Sequence, residues 1–321
     1  MHKKTKISFL LVVVLVLVFV CAGSAFAKYS FTFLTHGGEG NVFWASVYRG
    51  AREAAARYGI DFVMIRPTEE GDFASQLASF EATLALRPDG IITSIPHPDM
   101  FDDVIQRAID MGILVICSNT DDPEGAAGNA RLSYIGQDLV VAGRILAQAL
   151  LADIPEGETY HFLISNGGPG QVWAEQRAKG IVGYLEEKGH SYEILDTTIL
   201  MDVAQSRIQA YLHANPETRG VLTVEYNHAA AARAAEALGF EPGELLIGGF
   251  DLVPEVLTGI QAGYIQLTVD QQPYLQGYLA VVQLYLMLEY GLSAWDVNTG
   301  NALVDATNVD MVIELARERI R

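Results

Sequence analysis

Cysteine is almost absent from this chain: 321 residues hold two, Cys21 and Cys117. A disulfide framework is therefore excluded as the source of stability. Positive charge is scarce too. Lys and Arg number 21 against 39 Asp and Glu, a net charge of −18. No basic cluster offsets that surplus, so phosphate backbones repel the chain and nucleic acid is excluded as a partner. Catalytic signatures are missing as well: there is no Gly-x-Ser-x-Gly elbow and no His-Glu-x-x-His pair. Low-complexity tracts, coiled-coil heptads and long internal repeats are absent. The one unbroken apolar run, Leu10 to Val20, is short for a membrane span of ~20 residues.

That run has the flanks of an export signal. Lys3, Lys4 and Lys6 precede it and Ala25-Phe26-Ala27 follows, the small-x-small pattern that a signal peptidase accepts. Val18-Phe19-Val20 lacks the small residue that lipid attachment at Cys21 wants. The expected mature chain starts at Lys28 without an anchor. Losing residues 1–27 leaves 18 basic against 39 acidic side chains, a net charge of −21, and Cys117 as the sole cysteine. The remaining length suffices for two cores of ordinary domain size.

What is present is a repeated strand–helix unit. Apolar, β-prone runs at 29–35, 61–65, 90–94 and 113–117 alternate with helically spaced segments at 44–58, 73–86 and 100–111. After the loop 118–131, a second series of strands is expected at 132–135, 159–165, 192–195, 220–224, 245–248 and 264–269. Its helices are expected at 139–151, 171–188, 203–214, 229–238, 254–262 and 274–290, with a short strand at 302–304. Strands separated by helices of this length imply parallel sheets with right-handed crossovers. Two series imply an α/β chain of two doubly wound lobes, whose site lies beyond the carboxyl ends of the strands.

Those ends carry distinctive residues. In Thr35-His36-Gly37-Gly38-Glu39-Gly40-Asn41-Val42-Phe43-Trp44 the glycines suit a turn, because Phe43 stands where a phosphate fingerprint needs a third glycine. Two adjacent bulky aromatics cannot both face one narrow stripe, so Phe43 or Trp44 is left for a cleft. Ser118-Asn119-Thr120-Asp121-Asp122-Pro123 offers hydroxyl-binding groups, Asn119 foremost, with Asp122 in an Asx turn. The segment after 165 leads to Glu175 and Arg177, either cleft groups or a solvated helix face. Glu225-Tyr226-Asn227-His228 follows one strand and Asp251 another; Asp251 either caps the next helix or reaches a ligand. His36 and His97 end strands of one lobe and read as polar rim residues or ligand hydrogen-bonders, with a metal site needing a third ligand such as Asp99 or Glu39.

Together these residues resemble the type I periplasmic binding proteins of the ribose-binding group over essentially the whole mature chain. Asn41-Val42-Phe43-Trp44 resembles that family's Asn-x-aromatic-aromatic opening, and Arg87-Pro88-Asp89-Gly90-Ile91-Ile92 its third strand. Gly112-Ile113-Leu114-Val115-Ile116 resembles the fourth strand, and Gly248-Gly249-Phe250-Asp251 the Gly-x-Asp strand end. Asp270-Gln271-Gln272-Pro273-Tyr274-Leu275-Gln276-Gly277-Tyr278 is similar to the signature of one sugar-binding subgroup. The order and spacing of the set carry the resemblance.

The resemblance implies lobes 28–137 plus 272–299 and 138–271 plus 300–321, joined by crossovers near 136–138, 270–272 and 299–302. They would close on a sugar or polyol and be read by an ABC permease. Phe43 and Trp44 would stack on the ligand, with Asn41, Asp251 and the hinge residue Gln271 bonding it. The departures are Asn119-Thr120 for Asp-Arg, Glu175 for an Arg and Glu225 for an Asn, fewer cations and more carboxylates. They point away from ribose, toward another neutral polyol or a ligand with a cationic group. The expectation is an exported, monomeric binding protein without cofactor or metal, in the periplasm or outside the cell. A nucleoside or furanose-like ligand, a chemoreceptor or kinase sensor, and an exported hydrolase stand as alternatives. A sugar repressor of this fold would carry a helix-turn-helix where this chain has its export signal.

Overall fold

The computed structural model describes residues 27–321. Residues 1–26, which carry the expected export signal and Cys21, lie outside the described residues. The elements run β1 (Tyr29–Leu34), α1 (Trp44–Tyr58), β2 (Ile60–Ile65), α2 (Phe73–Leu86), β3 (Gly90–Thr93), α3 (Asp102–Asp110), β4 (Leu114–Asn119) and β5 (Ser133–Gly136). Then come α4 (Leu139–Leu150), β6 (His161–Asn166), α5 (Val172–Glu187), β7 (Ser191–Asp196), α6 (Met201–Ala214), β8 (Thr218–Thr223), α7 (His228–Leu238) and β9 (Leu246–Phe250). The chain ends with α8 (Pro254–Gln261), β10 (Leu267–Asp270), α9 (Pro273–Tyr290), β11 (Val297–Asn298), β12 (Ala302–Asp305) and α10 (Val309–Arg317).

The strands form two six-stranded sheets, ordered β11-β5-β4-β3-β1-β2 and β12-β10-β9-β8-β6-β7. The first is parallel throughout, and in the second only β10–β12 is antiparallel. The chain passes between sheets three times: after β5, after β10 and after β11. One expectation needs correction. The strand expected to open the second series, at 132–135, pairs with β4 and belongs to the first sheet. The edge strand β7 is largely exposed, as befits a strand with one neighbour.

Local chemistry sets the element limits. Asp72 caps α2 by accepting from Ser75 N, Asp138 caps α4 by accepting from Val141 N, and Gly59 ends α1 in the left-handed region. Each sheet is covered on both faces. In the first lobe α1 and α9 close over Phe31, Phe33, Ile92 and Ile116, while α2 and α3 pack on Leu34, Ile91 and Val115. In the second, α4 and α5 cover Phe162, Ile164 and Leu222, and α6, α7 and α8 cover Leu163, Val221 and Ile247. No helix among the described residues is long and apolar enough to cross a membrane.

Helix α9 crosses α1 so closely that a Cβ at Gly277 would lie 2.0 Å from the Val47 carbonyl oxygen. Gly277→Ala must therefore push the helices apart, at a cost of about 1–3 kcal/mol. We expect a lower urea midpoint with the slope unchanged. A wild-type midpoint would mean that the helices can separate freely.

Candidate functional site

The carboxyl ends of both sheets face each other across a narrow cavity of about 40 Å³, lined by side chains of both lobes. The lobes touch directly at its rim, where Val172 N–H donates to the Pro96 carbonyl at 2.9 Å. The structure is thus the closed form.

The first lobe supplies an aromatic wall. Trp44 is the first residue of α1 and only 1 % exposed, yet it lines the cavity together with Phe43. Its ring stands edge-on to Phe33, His36 and Phe43 at 6.3, 5.2 and 5.4 Å between centroids. It also lies against Gly37, where a Cβ would fall 1.6 Å from the indole nitrogen. The glycine turn therefore makes room for the indole rather than for a phosphate. Arg66 fixes this turn: its Nε donates to Gly37 O at 3.2 Å and its Nη2 to Asn41 O at 2.8 Å and to Gly38 O. Glu70 Oε2 accepts from Gly38 N at 2.8 Å and from Asn41 Nδ2 at 3.2 Å. His36 is held neutral, because burial pushes its pKa down to about 3; its Nδ1 lies 2.8 Å from Ser94 Oγ.

The second lobe supplies polar groups and a further aromatic, Trp173, whose Nε1 donates to Gln171 Oε1 at 2.7 Å. Arg177 is 3 % exposed. It donates to Val224 O at 2.9 Å and to Gln137 Oε1 at 3.0 Å, and stacks over the Phe250 ring at 4.1 Å. Glu225 Oε2 accepts from Asn227 N at 2.7 Å. Among the described residues, Arg177 Nε and Glu225 Oε1 are buried without a hydrogen-bond partner. Burial lowers the pKa of Arg177, raises that of Asp251 against the pull of Arg177, and pushes Glu225 up to about 8.

The floor is the hinge. Asn119 Nδ2 donates to Gln271 Oε1 at 3.3 Å and to Gln276 Oε1 at 3.1 Å. Gln271 Nε2 in turn donates to Asp251 Oδ1 at 2.5 Å. Asp251 does not cap α8, whose N-cap position is Val253 and which has no side-chain cap. Asn119 and Asp251 both have positive φ, 71° and 78°, a strain that collects at functional positions.

Of the residues singled out from sequence, Asn41, Phe43, Trp44, Asn119, Glu225, Asp251, Gln271, His36 and Arg177 meet at the cavity. Four do not line it. Glu175 is exposed and turns back to Gly170 N and Asn166 Nδ2, bracing its own loop. Asn227 is buried behind the wall, donating to Thr198 O at 2.6 Å. His97 accepts weakly from Asp99 N at 3.4 Å, and Asp121 is occupied by Arg131. The expected loss of cations from the cleft also fails in part, since Arg177 takes the place that Glu175 leaves. Glu70, Trp173, Ile199 and Tyr226 line the cavity without having been singled out; Glu70 and Trp173 lie in strand-end segments that the topology rule marks.

Two lobes of parallel sheet, closed over a polar cavity with aromatic walls at their strand ends, define a solute-binding protein. Residues 31–292 match the family model described as a periplasmic binding protein domain, and the chain belongs to that family. It is similar to the xylose/arabinose-binding protein of Sulfolobus acidocaldarius, 29 % identical over 264 residues that cover 78 % of this chain and 65 % of that protein. The chain thus spans just under two thirds of that relative. Among solved structures, it resembles a periplasmic sugar-binding protein of an ABC sugar transporter from Legionella pneumophila (TM-score 0.78, 29 % identity, 85 % of this chain and 100 % of that one). It also resembles a carbohydrate transporter protein from Acidothermus cellulolyticus in complex with myo-inositol (TM-score 0.81, 27 % identity, 91 % and 99 % covered).

Behind the cleft, burial holds His228 neutral with its pKa down at about 3 against an ordinary 6.5. A depressed pKa gives stability that is fully present above pH 6.5 and is lost as pH falls toward 3, at about 1.4 kcal/mol per pH unit. Urea unfolding between pH 7 and pH 4 should show a shallower acid-side loss in His228→Gln than in wild type. Parallel slopes would mean that His228 is protonated in the native state.

Proposed function

We propose that this protein is exported and captures a small neutral ligand, a monosaccharide or polyol, between its lobes for delivery to the membrane permease of an ABC importer. The observation that carries this reading is the pairing of aromatic surfaces with polar groups in a closed cavity. Trp44, Phe43 and Trp173 offer flat apolar faces to the C–H side of a sugar. Asn119, Asp251 and Gln271 are placed to bond its hydroxyls, and the buried Arg177 Nε and Glu225 Oε1 have no other partner. A ligand hydroxyl would satisfy each of these atoms, whose burial is otherwise costly. Binding proteins populate the family, and we read this chain as a binder rather than a catalyst.

The lobes we assign are 28–137 plus 272–299 and 138–271 plus 300–321, with residues 1–27 removed on export. Closure would be a population shift, driven by contacts that exist only when both walls meet the ligand. A permease would then recognise the closed form, in which surfaces of both lobes are brought into fixed register.

The test is a thermal-shift screen of the ligand-stripped protein against pentoses, hexoses, inositols, nucleosides, amino acids and divalent metals. A ligand at ~100 times its Kd stabilises by roughly 2.7 kcal/mol, a shift of several degrees. We expect a sugar or polyol to give it, and a shift with metals or nucleosides alone would overturn the reading. For the sugar that binds, Asp251→Asn should weaken affinity by roughly 10–100-fold, the worth of a hydrogen bond to a charged group. Trp44→Ala is a poorer probe, since removing a core indole costs ~3–5 kcal/mol of stability.

A further inference from the structure

The second-lobe wall holds one more buried acid than it has cations. Glu225 and Asp251 are 3 % and 7 % exposed, and Arg177 is the one buried guanidinium between them. Two nearby acids are matched elsewhere: Glu70 faces Arg66 across the first-lobe turn, and Asp270 Oδ2 accepts from Arg321 Nε at 2.7 Å. The remaining titratable groups around Glu225 bring no charge to help. His228, from α7, and His36, across the cleft, are neutral, and Tyr226 keeps its proton. Two neighbouring carboxylates that share one guanidinium cannot both ionise cheaply.

Their surroundings decide which one keeps the proton. Asp251 Oδ1 accepts from Gln271 Nε2 at 2.5 Å, and Asp251 exerts the largest charge effect on Arg177. Glu225 has a donor on one oxygen only, Asn227 N at 2.7 Å, and no partner on Oε1. The two guanidinium nitrogens of Arg177 that bond do so with Val224 O and Gln137 Oε1, so neither carboxylate is bonded to it directly, and the donor from Gln271 is what separates Asp251 from Glu225. Asp251 is thus the anion of the wall.

We infer that Glu225 stands in the cleft as a neutral carboxyl whose Oε1 donates a hydrogen bond to an acceptor oxygen of the ligand, so that capture of a neutral sugar is linked to one bound proton. This rests on the sugar-capture reading above and narrows its ligand class. A neutral carboxyl beside the Arg177–Asp251 pair leaves the wall without net charge, which suits an uncharged ring and gives an ammonium group no counterion. When the medium becomes alkaline the carboxyl ionises, the donor is lost and an unpaired buried charge takes its place.

The experiment combines two readouts on the mature chain. First, the protein is labelled with ¹³C at the glutamate carboxyl carbons, and the Glu225 signal is identified by its disappearance in Glu225→Gln and followed by NMR from pH 4 to pH 10. Gln137 and His36 reach this wall from the first lobe, so the titration is followed both without sugar and with each sugar that binds at saturation. Second, Kd values for D-xylose, D-arabinose, D-allose and myo-inositol are measured over the same range for wild type and Glu225→Gln. We expect the carboxyl to titrate near 8, and wild-type Kd to climb above that pH by about tenfold per pH unit, the slope of one linked proton. The Glu225→Gln protein should bind more weakly at neutral pH, with a Kd flat to alkaline pH. A Glu225 signal that titrates in the ordinary carboxylate range would overturn the proposal, as would equal pH slopes in both proteins. A carboxyl titrating near 8 in a protein that binds none of the four sugars would support the neutral acid and overturn the sugar reading instead.

Discussion

Gln271 occupies the place where both lobes and the cleft meet. It follows β10 at the second passage between sheets, and its side chain holds Asn119 of the first lobe on one atom and Asp251 of the second on another. Its backbone carbonyl accepts from Thr299 Oγ1 at 2.8 Å, at the third passage. Hinge geometry and ligand geometry are therefore set by one amide. Asn119 and Asp251 leave their strands with left-handed backbones that ordinary side chains avoid, and the bonds through Gln271 are what over-determine those conformations. A cleft built this way does not need separate devices for closing and for aligning hydroxyl-binding groups.

Around that core the protein separates charge by location. The chain as a whole is strongly acidic, and with Glu225 protonated, as we infer, the cleft is close to neutral. Arg177 is taken out of water and compensated by Asp251, by two carbonyl-type acceptors and by the face of Phe250. Glu70 and Arg66, both on the β2–α2 loop, are spent on shaping the turn that carries Asn41 and Phe43. An uncharged ligand would then meet a field made of dipoles and one compensated pair, which favours specificity by hydrogen-bond geometry over attraction at long range.

Much of this is legible in the residues. Helices α1 and α2 fall where their apolar spacing puts them, and the strand-end rule marks the segments that converge on the cavity. The misses have physical causes. Strand β11 has two residues, too few to show any periodicity, and α10 is a short amphipathic helix beyond the last clear strand. The strand Ser133–Gly136 reads as the start of the second series because the long loop 120–132 resembles a domain boundary, whereas pairing with β4 is a tertiary fact. Glu175 and Arg177 look equivalent in sequence. They sit two positions apart on α5, about 200° around the helix, so one faces solvent and its own loop while the other points inward. Trp173 lies at a helix start and belongs to the second-lobe core as well as to the cavity lining, and a residue shared in this way carries no sequence signal that separates it from an ordinary core aromatic.

Trp44 shows how stability and binding are joined here. The same indole fills the first-lobe core against Phe33 and forms part of the cleft wall, and its ring is fixed by Gly37 on one side and His36 on another. A stacking surface that is already immobile gives up no rotamer entropy when a ligand arrives. The same holds for Arg177, whose guanidinium is locked by its acceptors and by Phe250. With both walls rigid, the freedom left to the site lies in the three passages between the sheets. Affinity then depends on how much contact energy the ligand returns when the lobes come together, and on how far the bonds of Gln271 already favour that arrangement. On the proposed reading, control of the open–closed balance lies in the hinge amide, which would also touch the sugar, rather than in the rigid aromatic walls.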